Sequence, residues 1–209
     1  MSSHHIVKDQ QEPALIVHRL ESFDTQILHS LLEWSPTVVC CEPALERYLE
    51  LGHKVDVALV DLSRNERWQE QLAHQHPLKI IATYGADNLE TGLQLLQKDN
   101  HPAVNIITNE EAAFEVIDVL SDWMNHLNVV MFAGDFRYLF VKSGSFNKWL
   151  AAGSHCTTIA LEDDAKWETN GFDQDSSDET DELNLSKSEE GEISIKCNVP
   201  FIVVDSIQP

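Results

Sequence analysis

Val55-Asp56-Val57-Ala58-Leu59-Val60-Asp61-Leu62-Ser63 is apolar at nearly every position until it ends in an acid and a hydroxyl. A short apolar run of this kind, followed by the polar segment from Ser63 to Gln75, is how a strand buried on both faces enters its crossover helix in a parallel sheet. Ligands of open α/β sheets bind outside the carboxyl ends of the strands, so Asp61 stands where chemistry is expected. An acid in that place also suits a helix N-cap, and spacing alone leaves both roles open.

The same alternation extends to either side. Upstream, Ala14 to His18 predicts a strand and Ser22 to Trp34 a helix, with Phe23, Ile27, Leu28, Leu31 and Leu32 on its buried side. Ser35-Pro36 breaks that helix, Thr37 to Cys41 is a second strand, and Pro43 opens a helix that Gly52 stops. Downstream, Pro77 ends the polar helix and Leu78 to Ala82 is a strand. Asp87 or Asn88 then caps a helix carrying Leu89, Leu93 and Leu96 on one side. Ala103 to Ile107 and a helix from Glu110 to Asn125 complete the pattern. Five strands alternating with helices predict a doubly wound parallel α/β sheet as an N-terminal domain of residues 1–126. Neither a Gly-x-Gly-x-x-Gly turn nor a Walker lysine follows any strand, which removes the common phosphate loops.

At Leu127 the periodicity changes. Residues 128–133, 136–141, 148–151, 156–161, 192–196 and 201–205 are short, rich in β-branched and aromatic residues, and the early ones are separated by Gly-containing turns. They predict a C-terminal antiparallel β-sandwich, residues 127–209, interrupted by an acidic loop over 162–192. The expected class is therefore α/β plus all-β.

Composition bounds the function. A net charge of −21 argues against nucleic acid or an anionic membrane as partner, because like charge repels both. No apolar run approaches the roughly 18 residues a membrane span needs, and the expected location is cytoplasmic. Cysteines 40, 41, 156 and 197 have neither metal-ligand spacing nor the pattern of a disulfide framework, and buried free thiols are expected.

In order and spacing the chain resembles the thiamine pyrophosphokinase family. Leu51-Gly52-His53-Lys54-Val55-Asp56 through Asp61-Leu62-Ser63 is similar to that family's Leu-Gly-Ile-x-Pro-Asp-x-x-Ile-Gly-Asp-x-Asp-Ser. Glu90-Thr91-Gly92-Leu93 stands at the end of its Asp-x-Thr-Asp-x-Glu-x-Ala-Leu, Thr169-Asn170-Gly171-Phe172 at its Thr-x-Gly-Leu, and Leu183-Asn184 at its Ser-Asn. The resemblance implies transfer of a pyrophosphoryl group from ATP to the thiamine hydroxyl with Mg²⁺, in a homodimer. It implies a metal held by Asp61 and Glu90, with Asp87 as a further catalytic acid, and Glu42, Ser63 and Asn88 at the cofactor. Trp167, Gly171, Phe172 and Asn184 would contact thiamine, although Trp167 equally suits a sandwich core and Asn184 a turn. The apolar tail Val199 to Val204 is either a central strand of the sandwich or part of the interface.

Several motif positions depart from the family. Cys41-Glu42-Pro43 replaces Asp-Gly-Gly, Val60 and Ser63 replace the glycine and second acid around Asp61, and Gly85 and Asn88 replace two aspartates. Where the family has Gly-Gly-Arg-x-Asp-His, this chain has Thr108 to Glu115, with Glu110-Glu111 in place of a cation. Losing one positioned electrostatic donor costs an enzyme about 3–4 kcal/mol of transition-state stabilisation, and reversing its sign costs no less. The expectation is a thiamine pyrophosphokinase-like protein of impaired activity. The alternative is a non-catalytic member acting as a ligand-binding or protein-interaction module.

Overall fold

Short strands alternating with helices carry the chain from Ala14 to Ala133 in the computed structural model, which describes residues 12–75, 77–85, 88–142, 144–174 and 180–207. The strands are β1 (Ala14–Val17), β2 (Val38–Cys41), β3 (Val57–Asp61), β4 (Lys79–Thr83), β5 (Ala103–Thr108) and β6 (Asn128–Ala133). Between them lie α1 (Thr25–Leu32), α2 (Glu42–Glu50), α3 (Asn65–Leu72), α4 (Asn88–Lys98) and α5 (Ala113–Trp123). The strands pair in parallel in the order β6-β5-β1-β2-β3-β4. The chain steps outward from β1 to β4, then returns past β1 to lay down β5 and β6. Right-handed crossovers therefore put α1 to α3 on one face and α4 and α5 on the other, which is the doubly wound arrangement.

Central strands β1 and β2 are buried at every position, as continuous apolar runs predict. Helix α4 crosses β1, β2 and β3 closely because Gly92 has no side chain. A Cβ there would meet Ile16 and Leu59 at 3.3 Å and Val39 at 3.5 Å. The quoted stretch enters its strand two residues later than its apolar run begins. Asp56 instead stitches the sheet, its carboxylate accepting from Val38 N–H at 2.7 Å and its carbonyl from Lys79 N–H at 2.9 Å. The residues 128–133, expected among antiparallel strands, pair parallel with β5 instead. They are reached through α5, and a strand entered through a crossover helix returns parallel.

The described chain divides into two compact units, one of residues up to 119 with 126–134, the other of 120–125 with residues from 135 onward. The second holds β7 (Phe136–Val141), β8 (Gly144–Leu150), β9 (Ser154–Ala160), β10 (Trp167–Asn170), β11 (Glu182–Lys187), β12 (Gly191–Cys197) and β13 (Phe201–Ser206). Two antiparallel sheets form, β11-β9-β13-β7 and β10-β12-β8. Trp167, Ile193, Ile195 and Leu150 of one meet Leu183, Leu185, Phe201 and Val203 of the other in a shared core, so this is the expected sandwich. The tail 199–204 supplies its central strand. Two strands, β10 and β11, fall inside the stretch expected to be an acidic loop. Trp167 and Thr169, and Leu183 and Leu185, point inward, while the acids between them face solvent and mask the alternation.

All four cysteines are free and buried. Burial pushes the Cys41 thiol up to about 12 and raises Cys40 as well, so neither is a thiolate nucleophile. Among the described residues no helix is long and apolar enough to cross a membrane.

Candidate functional site

The carboxyl ends of β2, β3 and β4 bring several of the expected residues together around Glu42. This glutamate is the first residue of α2, directly after β2, and it is buried. A buried carboxylate persists only where donors replace water, and Glu42 has three. It accepts from Asp61 N–H at 2.6 Å, from Trp68 Nε1–H at 3.0 Å and from Arg64 Nε at 2.8 Å. Glu42 thus ties α2, the end of β3 and α3 to one point, and its acceptor capacity is largely spent inside the fold.

Asp61 sits at the exposed end of β3 as the N-cap of the single 3-10 turn 62–64. One oxygen accepts the Ser63 amide at 2.8 Å and the Ser63 hydroxyl, and the other accepts the Gly85 amide at 3.3 Å. The Ser63 hydroxyl and amide, then the Gly85 amide and the Arg64 charge, hold its carboxyl below the ordinary range. Beside it in register is Thr83, whose hydroxyl donates to the buried Asn88 side chain at the start of α4. Glu90 is exposed in the first turn of α4, and Asp87 lies outside the described residues. Among the described residues no three His, Cys, Asp or Glu side chains gather as a metal set.

At the point where the chain reverses, between β1 and β5, sequence reasoning singled out neither of the groups that matter. His18 Nδ1 meets the Thr108 hydroxyl at 3.0 Å, and Thr108 is fully buried. Burial, then the adjacent Arg19 charge, lowers the His18 imidazole to about 4, so it is neutral at pH 7. Arg19 lines a cleft with Glu21, Ser22, Asn109, Glu110, Glu111 and Gly134, and its Nε is buried without a hydrogen-bond partner. Gly134, at φ +55°, is required here because the Glu110 side chain occupies the space a Cβ would fill. One cation faces three carboxylates, so the cleft attracts cations more readily than polyphosphates. Motif comparison points to Glu110 and Glu111, but only the pairing of β5 beside β1 brings His18 and Arg19 to them.

Of the four residues matched to thiamine contacts, Trp167 and Phe172 share the sandwich core, while Asn184 faces outward. Trp167 and Phe172 are buried in the sandwich core, where the Trp167 ring meets Phe201 edge-on at 5.3 Å and its Nε1–H donates to Thr180 C=O at 2.6 Å. Gly171 follows β10 at φ +85°, and a Cβ there would collide with the Glu192 carbonyl. Asn184, expected as a thiamine contact or else a turn residue, is an outward-facing strand residue on β11. It accepts from the Thr157 hydroxyl at 2.8 Å and donates to Glu182 at 3.3 Å.

No protein-family model matches the chain, and no curated protein is significantly similar in sequence. Solved structures do match. Thiamine pyrophosphokinase from Bacillus subtilis superimposes with a TM-score of 0.73 at 8% identity, covering 95% of this chain and 100% of the other. The enzyme from Geobacillus thermodenitrificans gives 0.74 at 9% identity, covering 93% and 97%, and the yeast enzyme gives 0.71 at 10% identity, covering 97% and 88%. The chain has the thiamine pyrophosphokinase fold over nearly its whole length; identities this low establish the fold alone.

Proposed function

We propose that this chain is a thiamine pyrophosphokinase-like protein in which pyrophosphoryl transfer is impaired, with the cation thiamine a better candidate ligand than ATP. The observation that carries this reading is the state of Asp61, the one acid left from the Gly-Asp-x-Asp-Ser end of its motif. Both its oxygens accept backbone amides, one from Ser63 and the other from Gly85 beyond β4, and the position of the second acid is a serine that donates to it. The neighbouring donor chemistry supports the same reading. Glu42 is engaged by three internal donors, and the end of β5 offers Glu110 and Glu111 with Arg19 the one cation lining that cleft. A magnesium–nucleotide complex needs cations against its phosphate oxygens as well as one or two carboxylates. These residues do not fit that group.

The experiment is titration calorimetry with thiamine and with a Mg²⁺-loaded non-hydrolysable ATP analogue, alongside AMP release from Mg²⁺, ATP and thiamine. Expected are thiamine binding, no heat from the analogue at millimolar concentration, and AMP release at background. Asp61→Asn should leave that background unchanged. Turnover that Asp61→Asn or Glu90→Gln abolishes would reinstate the metal pair and overturn the proposal.

A further inference from the structure

Arg19 stands apart from the other arginines of the chain. Each of those holds a carboxylate, including the exposed Arg47 and Arg67, which reach Glu50 and Glu46 at 3.0 and 3.6 Å. Arg19 holds none, although it is partly buried and Glu21, Glu110 and Glu111 line the same cleft. Among the described residues its guanidinium takes neither an ion pair nor a hydrogen bond, and its Nε is buried. Withdrawing a charged donor from water without an acceptor costs stability, so packing alone does not account for this arrangement.

Backbone bonds fix where the opposite charges stand. The amides of His18 and Arg19 both donate to the Ile107 carbonyl, at 2.9 and 3.3 Å, and pin Arg19 at the carboxyl ends of β1 and β5. Its charge is also felt at Cys41, where β2 ends. Beyond β5, the Asn109 side chain accepts the Ala112 amide at 3.0 Å and closes the turn that carries Glu110 and Glu111. The Glu110 side chain lies against Gly134. Cation and acids line an open cleft of about 460 Å³, a volume in the range of small-ligand sites. It lies where the strand order reverses, and open α/β sheets bind their ligands there.

A ligand that satisfies both sides of this cleft carries both signs of charge. The guanidinium calls for a carboxylate, which it can grip through parallel N–H groups. Three acids against one cation call for more ammonium than carboxylate on the ligand. We propose that the cleft binds a basic amino acid, with its carboxylate on Arg19 and its ammonium groups on the glutamates. The site lies wholly within the first unit. It goes beyond the thiamine reading and does not depend on it, because thiamine has no carboxylate to offer Arg19.

Calorimetry on the full chain with L-lysine, cadaverine and L-glutamate tests it. Cadaverine is lysine without its carboxylate, and glutamate reverses the balance of charge. Lysine should bind, cadaverine should bind about tenfold more weakly for want of the charge-assisted bonds to Arg19, and glutamate should give no heat at millimolar concentration. Arg19→Gln should bring lysine down to the level of cadaverine. Glu111→Gln should weaken lysine and cadaverine alike by about threefold, the scale of one exposed ion pair. The proposal is overturned if lysine does not bind at millimolar concentration, if cadaverine or glutamate matches it, or if either substitution leaves lysine binding unchanged. Glu111 is exposed, so Glu111→Gln keeps the fold. With the lysine-to-cadaverine ratio of the parent chain, it decides the matter even if Arg19→Gln does not fold. Thiamine titrated into the same protein reports separately: its failure to bind would end the thiamine reading and leave the amino-acid site standing.

Discussion

His18 carries a prediction that rests on one side chain. Its folded value of about 4 lies below the unfolded value near 6.5, so the unfolded chain takes up the proton first as pH falls. The stability tied to neutral His18 is complete above about pH 6.5 and is lost progressively down to about pH 4. Between pH 7 and 5, before most carboxylates titrate, urea unfolding should show a loss of about 2 kcal/mol. His18→Asn should flatten that slope, and an unchanged slope would show that the imidazole is not the group responsible. Glu42 separates a structural role from a ligand role. If its work is to join α2, β3 and α3, Glu42→Gln should destabilise the fold by about 2–3 kcal/mol through unpaired buried donors. A Glu42→Gln chain as stable as the parent would return Glu42 to the cofactor role that the family resemblance implies. Sequence alone placed Glu42 and Asp61 at strand ends and Asn88 at a helix start, but not their partners. The bond between His18 and Thr108 spans 90 positions and exists only because β5 inserts beside β1.

Secondary-structure elements were readable to the degree that burial imposed a simple pattern on them. β1, β2 and β3 are walled by helices on both faces, which demands unbroken apolar runs, and such runs are visible without a structure. β10 and β11 each bury one face only, and the acids on the other face make the segment look like solvated loop. The direction of β6 was hidden for another reason. Residues 128–133 look the same whether the strand is paired parallel or antiparallel, and only the α5 connection decides between them. The consequence for Trp167 is testable. As a core residue whose indole donates to Thr180 C=O, it should cost about 1–3 kcal/mol on replacement by Phe, from a small cavity and a carbonyl left without its donor. Thermal unfolding of Trp167→Phe measures this. A variant of parental stability with weakened thiamine binding would instead identify the ring as a ligand contact.

Charge acts on the whole molecule. Thirty-five acids against fourteen bases give −21, and two copies of such a chain repel each other strongly at low ionic strength. The family resemblance implies a homodimer, and we propose one here, since twofold contacts are the commonest way for identical chains to associate. The repulsion sets the condition under which that assembly appears. Near 10 mM salt the screening length is about 30 Å, so charges across an entire interface oppose one another; near 150 mM it falls to about 8 Å, and only adjacent pairs still interact. Dimerisation of this chain should therefore strengthen with salt, the opposite of an interface held by complementary charge. Sedimentation equilibrium at both salt concentrations, at one protein concentration, measures it. The weight-average mass is expected to rise from near one chain at low salt towards two at high salt. A single-chain mass under both conditions, at protein concentrations of tens of micromolar, would remove the dimer. The thiamine pocket between subunits that the family resemblance implies would go with it, leaving any thiamine bound to surfaces of one chain.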